Sequence, residues 1–394
     1  MTTTTSTPSP RSPEPAAGPA TDATDPTGAT GASGTVGLFD PVTLRGTTVR
    51  NRLWVAPMCQ YSVEREDGVP TDWHLVHLGS LARGGAGAVI AEATAVVPEG
   101  RISPQDLGLW DDEQQRAFER ITAFVRDQGA VPGVQLAHAG RKASTYRPWS
   151  PVQGTVPAAE GGWPTVAPSA VAFEGYDEPR EMTGDEVRGV VEAFRASARR
   201  AVDAGFELVE LHAAHGYLLH QFLSPLSNRR DDEWGGDLAG RARLLLEVVR
   251  AVRAEVGDDL PLLVRFSATD WAEGGWDEHD TATVAGWARD AGADLADVST
   301  GGLVAGVSIP VGLGYQVRFA DHVRREAGVD TGAVGLIVSA QQADEVVRSG
   351  RADVVLVGRE FLRDPHFALR AAADLGVELP YVPEQYQRAP FRRP

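Results

Sequence analysis

The sequence predicts an α/β fold, a closed (β/α)8 TIM barrel, and three observations carry that prediction. Short apolar runs alternate with helical stretches eight times in one direction, the pattern of repeated strand–helix units. Gly87, Gly205, Gly292 and Gly350 each follow a helix candidate, where a left-handed C-cap is favoured. The length of 394 residues is ordinary for such a barrel with insertions. An open, doubly wound sheet is the alternative, but it seldom needs eight units without a break.

Residues 1–35 are Thr, Ser, Pro, Ala and Gly with almost no large apolar side chain, so they cannot bury enough surface to offset their ordering entropy. They read as a disordered low-complexity tail, and residues 36–394 as the barrel. The first strand is RLWVAPM (Arg52–Met58), followed by a helix near His74–Arg83. GAVIAEAT (Gly87–Thr94) is the second, with a helix near Asp112–Gln128, and VPGVQLAH (Val131–His138) is the third. After a long loop, a helix runs from about Gly184 to Ala204. The fourth strand, Glu207–His212, precedes a helix near Ala239–Val256; the fifth, PLLVRFSA (Pro261–Ala268), a helix near Thr281–Ala291. DLADVST (Asp294–Thr300) is the sixth, with Val317–Ala327 as its helix. AVGLIVS (Ala333–Ser339) is the seventh, with Gln341–Ser349. ADVVLVGR (Ala352–Arg359) is the eighth, closed by a helix over Phe361–Ala373. The loop 139–182 is too long for a mere connection and carries Tyr146, Trp149, Trp163 and Phe173; loops of this kind are lids, binding loops or surface excursions pinned by their own aromatics.

Composition removes several function classes. A formal net charge of −17 argues against a nucleic-acid partner, which needs a basic surface. No apolar run approaches the roughly 20 residues that cross a bilayer, and MTTTTSTPSPRSPEP lacks the basic and apolar regions of a secretory signal. A single cysteine, Cys59, excludes disulfide frameworks and clusters held by several thiolates. A reducing, cytoplasmic setting is expected.

In an α/β barrel, chemistry gathers at the C-terminal ends of the strands. The fourth strand delivers His212, His215 and Tyr217 there within six residues, which sets hydrogen-bond donors beside a proton donor. The first strand offers Pro57, Met58, Cys59 and Tyr61; the second Glu92 and Ala93; the third Gln135 and His138. Arg265, inside the apolar run LLVRF, is costly to bury unless it meets an anion. Gly358-Arg359 after the eighth strand suits the phosphate site that barrels build from their last two loops. His212 and His215 lack a third histidine or carboxylate that would complete a metal site, so no metal is expected.

Together these residues resemble the old yellow enzyme family of FMN-dependent ene-reductases. The motifs that carry the resemblance are PMCQY (Pro57–Tyr61), QLAHAGRK (Gln135–Lys142), HAAHGYLLHQFLSPLSNRR (His212–Arg230), DEWGGDLAGR (Asp232–Arg241) and GRADVVLVGREFLRDP (Gly350–Pro365). The PMCQY context is similar to the thermophilic-like subgroup. The resemblance implies FMN as cofactor, contacted by Ala56, Pro57, Met58, Cys59, Ala93, Gln135 and Arg265, with Gly358 and Arg359 on the phosphate. It implies NADPH, or NADH, as reductant and a small-molecule activated alkene as substrate. His212 and His215 would bind the substrate's oxygen, Tyr217 would give the proton, Tyr61 would hydrogen-bond the substrate, and Cys59 would tune both ligands. It also implies a homodimer or homotetramer in which Arg388, from QYQR (Gln385–Arg388), reaches the neighbouring subunit's site. The chain departs from the family by the Trp-containing loop 139–182 and by the continuation APFRRP within the C-terminal extension 380–394. Two other readings remain: a flavin-free barrel lyase or isomerase using the histidine pair as acid and base, and a flavin-binding sensor without turnover. The first leaves Gln135, Arg265 and Gly358-Arg359 unexplained as a set.

Overall fold

Eight parallel strands close on one another in the computed structural model, which describes residues 1–2 and 36–391. They are β1 (Leu53–Val55), β2 (Ala88–Ala95), β3 (Val131–Ala137), β4 (Leu208–Ala213), β5 (Leu262–Ser267), β6 (Leu295–Ser299), β7 (Asp330–Ala333) and β8 (Val354–Val357). Each pairs with its sequence neighbours, and β8 pairs back onto β1 through Val355↔Leu53 and Val357↔Val55, which closes the barrel. The tail expected over residues 1–35 lies outside the described residues, save Met1 and Thr2.

Ten helices accompany the strands among the described residues: α1 (Asp72–Arg83), α2 (Asp112–Asp127), α3 (Gly184–Asp203), α4 (Leu218–Leu223), α5 (Leu238–Val256), α6 (Glu278–Asp290), α7 (Val317–Ala327), α8 (Ala340–Arg348), α9 (Arg359–Arg363) and α10 (Phe367–Leu375). Side-chain caps fix the starts of α2, α3, α5, α6 and α8. Thr183 and Glu186 form a capping box on α3, and Asp111 takes the Glu113 and Gln114 amides at the head of α2, so orphan N–H groups find acceptors. None of these helices is long and apolar enough to cross a membrane.

The period-two alternation of the strands divides the core into layers. Val209, Leu211 and Val264 pack outward against the helices, while Leu208, Leu263, Leu295 and Val354 fill the N-terminal end of the barrel interior. A hairpin not anticipated from sequence, Val42–Leu44 with Thr47–Val49, adds Val42, Leu44 and Val49 to that inner cluster. One alternate step further along, the interior turns polar: Gln135, Glu210, Arg265 and Asp297 are all buried. A further step brings His212, Ser267 and Ser299 to the C-terminal mouth.

The structure corrects three local expectations. The seventh strand is Asp330–Ala333, not Ala333–Ser339; DTGA has no apolar signature, and the apolar run beyond it lines a cavity instead. The helix expected over Phe361–Ala373 is two helices, because Pro365 has no N–H to continue α9 and Asp364 before it is extended. Gly205, Gly292 and Gly350 are left-handed as expected, but Gly87 is not; Gly85 takes that conformation after α1, and Gly87 donates to the Leu53 carbonyl at the start of β2.

Candidate active site

The His212 and His215 rings meet edge to face with centroids 5.1 Å apart, and the Tyr217 ring lies 4.8 Å from His212. Their second nitrogens are committed. The Ala214 amide donates to His212 Nδ1 (3.3 Å), which leaves the proton on Nε2. His215 Nε2 sits 2.8 Å from the Ser299 hydroxyl; with that hydroxyl donating, His215 carries its proton on Nδ1. Both imidazoles are held well below the usual histidine range, by burial first and by the Arg265 charge second, so both are neutral at pH 7. In these tautomers each ring offers one N–H.

Tyr217, Tyr61 and Cys59 pack with Trp163 against a small cluster of Ala93, Ile102, Ala137, Ala139 and Ala143. Burial pushes the Tyr217 and Tyr61 phenols and the Cys59 thiol upward, so all three are protonated at neutral pH. Trp149, from the long loop, meets Tyr61 edge to face at 5.7 Å and is 61% exposed. Glu92, at a bulge in β2, accepts the Gln60 amide (2.8 Å) and lies 3.8 Å from the buried His74, which ties the PMCQY turn to the second strand.

Below the mouth, Arg265 faces Asp297 with Nε and Oδ2 3.0 Å apart, though the carboxylate lies off the N–H axis. Gln135 Nε2 donates to Glu210 Oε1 (2.7 Å), and Glu210 Oε2 has no partner. Arg265 thus pairs with Asp297 and attracts Glu210 through its charge. Burial drives Glu210 up to about 8, Asp297 adds to it, and Arg265 opposes it.

Ala56, Pro57, Met58, Arg265, Gly358 and Arg359 line one cavity of about 200 Å³, closed on its other side by Val334–Val338. A Cβ at position 358 would sit 3.2 Å from Met58 Sδ, a tight contact that Met58 would have to yield to. Arg359 is exposed and makes no hydrogen bond or ion pair with a described residue, whereas Arg363 beside it is tied to Glu360. A larger cavity of about 360 Å³ between α10 and the C-terminal segment contains none of the expected site residues. Chemistry rather than volume selects the site.

Arg388 is not brought to the mouth by contacts of its own chain. It stands exposed just after a turn, Glu384–Tyr386, whose Tyr386 hydroxyl bonds His366 (3.1 Å). Lys142 is the residue that sequence reasoning passed over. Its Nζ donates to the His215 and Gly302 carbonyls (2.8 and 2.9 Å) and lies 5.1 Å from the Tyr217 ring centre. Burial, then Arg141, lowers Lys142 to about 8. Its place at the end of QLAHAGRK was the available signal. Among the described residues, no group of three or more His, Cys, Asp or Glu side chains could hold a metal ion.

A barrel mouth with neutral donors, together with a cavity lined by the buried Arg265 and by Arg359, a cation with no partner among the described residues, has the make-up of a cofactor-dependent enzyme. Comparison with known proteins identifies which. Residues 37–378 match the NADH:flavin oxidoreductase / NADH oxidase family. An NADPH dehydrogenase of Listeria monocytogenes is 49% identical over 353 residues, 89% of this chain and 98% of that one. An NADPH dehydrogenase of Geobacillus thermodenitrificans is 47% identical over 352 residues, with the same two shares. Among solved structures, morphinone reductase superposes with a TM-score of 0.73 at 29% identity, over 88% of this chain and 91% of its own. The old yellow enzyme homologue from Zymomonas mobilis gives 0.71 at 29% identity, over 87% and 94%. The chain belongs to this family, that of the old yellow enzymes; it is a flavin oxidoreductase, and FMN is its cofactor.

Proposed function

We propose that this protein reduces activated C=C bonds (enones, enals, maleimides and nitroalkenes) at the expense of NADPH, with NADH as the alternative reductant. One observation carries the reading: two neutral imidazoles, each with its other nitrogen committed, leave one N–H apiece beside a protonated phenol. That is the arrangement needed to grip a carbonyl or nitro oxygen and to protonate a carbon nearby.

The residues around the cavity fit FMN. Arg359, a cation with no partner among the described residues, suits the phosphate, with Gly358 beside it, and Arg265 is a buried cation whose Nε lacks a directed partner. Ala56, Pro57, Met58, Cys59, Ala93 and Gln135 would complete the flavin's surroundings. When bound, FMN would supply the hydride-transfer chemistry that links the nicotinamide to the substrate's β-carbon.

The remaining steps belong to the chain. His212 Nε2–H and His215 Nδ1–H hold the substrate oxygen and stabilise the negative charge that develops on it, as fixed donors do in a site shielded from water. Staying neutral matters: an imidazolium would protonate that oxygen, whereas a neutral ring polarises it. Tyr217 gives its proton to the α-carbon, and Lys142, 5.1 Å from its ring, offsets the charge left on the phenolate. Arg265 favours an anion in the cavity. Tyr61 hydrogen-bonds the substrate, and Cys59 adjoins both ligands. Arg388, exposed and without a partner among the described residues, is assigned to the active site of a neighbouring subunit in a homodimer or homotetramer.

The test is product formation. Purified yellow protein given NADPH and 2-cyclohexenone should yield cyclohexanone by gas chromatography. NADPH oxidation without any saturated ketone, across an enone, a maleimide and a nitroalkene, overturns the proposal.

A further inference from the structure

The peptide that separates His215 from Tyr217 is held from both sides by two consecutive buried side chains of α4. The Gly216 amide donates to His220 Nδ1 (2.9 Å), and the Gly216 carbonyl accepts from Gln221 Nε2 (2.7 Å). His220 is itself backed by Asp270, with Nε2 and Oδ1 3.0 Å apart, although the carboxylate again lies off the ring N–H axis. Asp270 is anchored through its other oxygen by the Ser224 hydroxyl (2.6 Å) and the Trp276 amide (2.9 Å). His220 and Asp270 are both 0% exposed.

A fully buried histidine in a short helix that otherwise reads LLxxFL, facing a fully buried aspartate from the loop after β5, is expensive, because polar groups lose their hydration there. A leucine or phenylalanine would pack more cheaply. What the polar pair provides is an acceptor at one atom. Nδ1 must carry a lone pair to take the Gly216 N–H, so Nε2 carries the proton, and a carboxylate facing Nε2 favours that tautomer. The turn it holds is one that would not hold itself. His215 has φ +57°, uncommon for a residue with a side chain, and Gly216 has φ +75°. A Cβ on residue 216 would stand 2.3 Å from the Gly302 carbonyl oxygen, so only glycine fits the turn there.

We infer that His220, backed by Asp270 and working with Gln221, is a positioning residue: it fixes the Gly216 peptide and thereby aims His215 and Tyr217 at the same bound atom pair. This rests on the roles proposed above for His212, His215 and Tyr217. His220 touches neither substrate nor cofactor in this scheme; its effect passes wholly through Gly216. Through Asp270 it also ties the turn after β4 to the loop after β5.

The test uses the FMN-loaded protein titrated with p-hydroxybenzaldehyde, a phenol whose oxygen the two imidazoles would hold, read by its long-wavelength absorption with the flavin. His220→Phe keeps the ring's bulk and removes both nitrogens; His220→Asn keeps an acceptor where Nδ1 stands. His220→Phe should retain full FMN content and bind the phenol about tenfold or more weaker, since a buried N–H is left without a partner. His220→Asn should recover affinity to within about threefold of the parent. Folded His220→Phe that binds phenol like the parent overturns the inference. So does a folded His220→Asn that binds about tenfold weaker, and this arm decides alone if the phenylalanine variant does not fold. A parent protein that holds FMN yet binds no phenol counts instead against the reading of the histidine pair.

Discussion

Replacing Glu210 by glutamine removes a proton-binding site from the barrel interior, so its effect on stability must depend on pH. In the folded protein Glu210 is held up at about 8 against an ordinary 4.5, by burial first and Asp297 second. The folded state therefore keeps a proton that the unfolded chain has already released. The stability this confers is complete below the lower value and is lost as pH rises through the upper one. At about 1.36 kcal/mol per pH unit, a window of roughly 3.5 units amounts to no more than about 5 kcal/mol. Glutamine has the same shape, still has an amide oxygen for the Gln135 donor, and never ionises. The Glu210→Gln protein should therefore gain on the parent by about 2–5 kcal/mol between about pH 5 and about pH 9. Urea unfolding of both apoproteins, followed by circular dichroism, measures that difference. A gap between variant and parent that stays constant to within about 0.5 kcal/mol over the range refutes the reasoning.

Three further outcomes follow from the site. Tyr217→Phe should leave flavin reduction by NADPH within a few-fold of the parent while slowing reoxidation by cyclohexenone about 100-fold, the range for a lost general acid; stopped-flow absorbance resolves the two, and equal slowing of both removes Tyr217 as the acid. Substituting alanine for His212 and His215 together should abolish the phenol absorption band, and an unchanged titration would count against their role. Arg359→Ala should weaken FMN binding by about 1.5–3 kcal/mol, as for a lost charge-assisted hydrogen bond; flavin fluorescence quenching reads this directly, and an unaltered dissociation constant would remove Arg359 from the phosphate site.

Much of this was legible in the sequence because local signals and global fold agree. Strand β8 is a continuous apolar run and β2 opens with one, AVIA, which is how strands buried on both faces tend to read. The histidines and tyrosine after β4 stood out because three such groups fall within six residues. What escaped was whatever only the closed barrel brings together. Glu210 and Asp297 are single polar residues on separate strands, and nothing local says that they flank Arg265. Ser299 orients His215 from two strands away. Lys142 reaches His215 only because the loop after β3 folds back over the mouth. The seventh strand was misplaced for the converse reason: Val334–Val338 is apolar because it walls a cavity, and the true strand, DTGA, is too short and mixed to announce itself.

The central claim, that this mouth passes electrons from a nicotinamide to an electron-poor alkene by way of FMN, is tested most directly without turnover. Under anaerobic conditions, one equivalent of NADPH should bleach the yellow protein, and one equivalent of 2-cyclohexenone should then restore the colour in full. Bleaching that no enone, maleimide or nitroalkene reverses, while oxygen does, would contradict it.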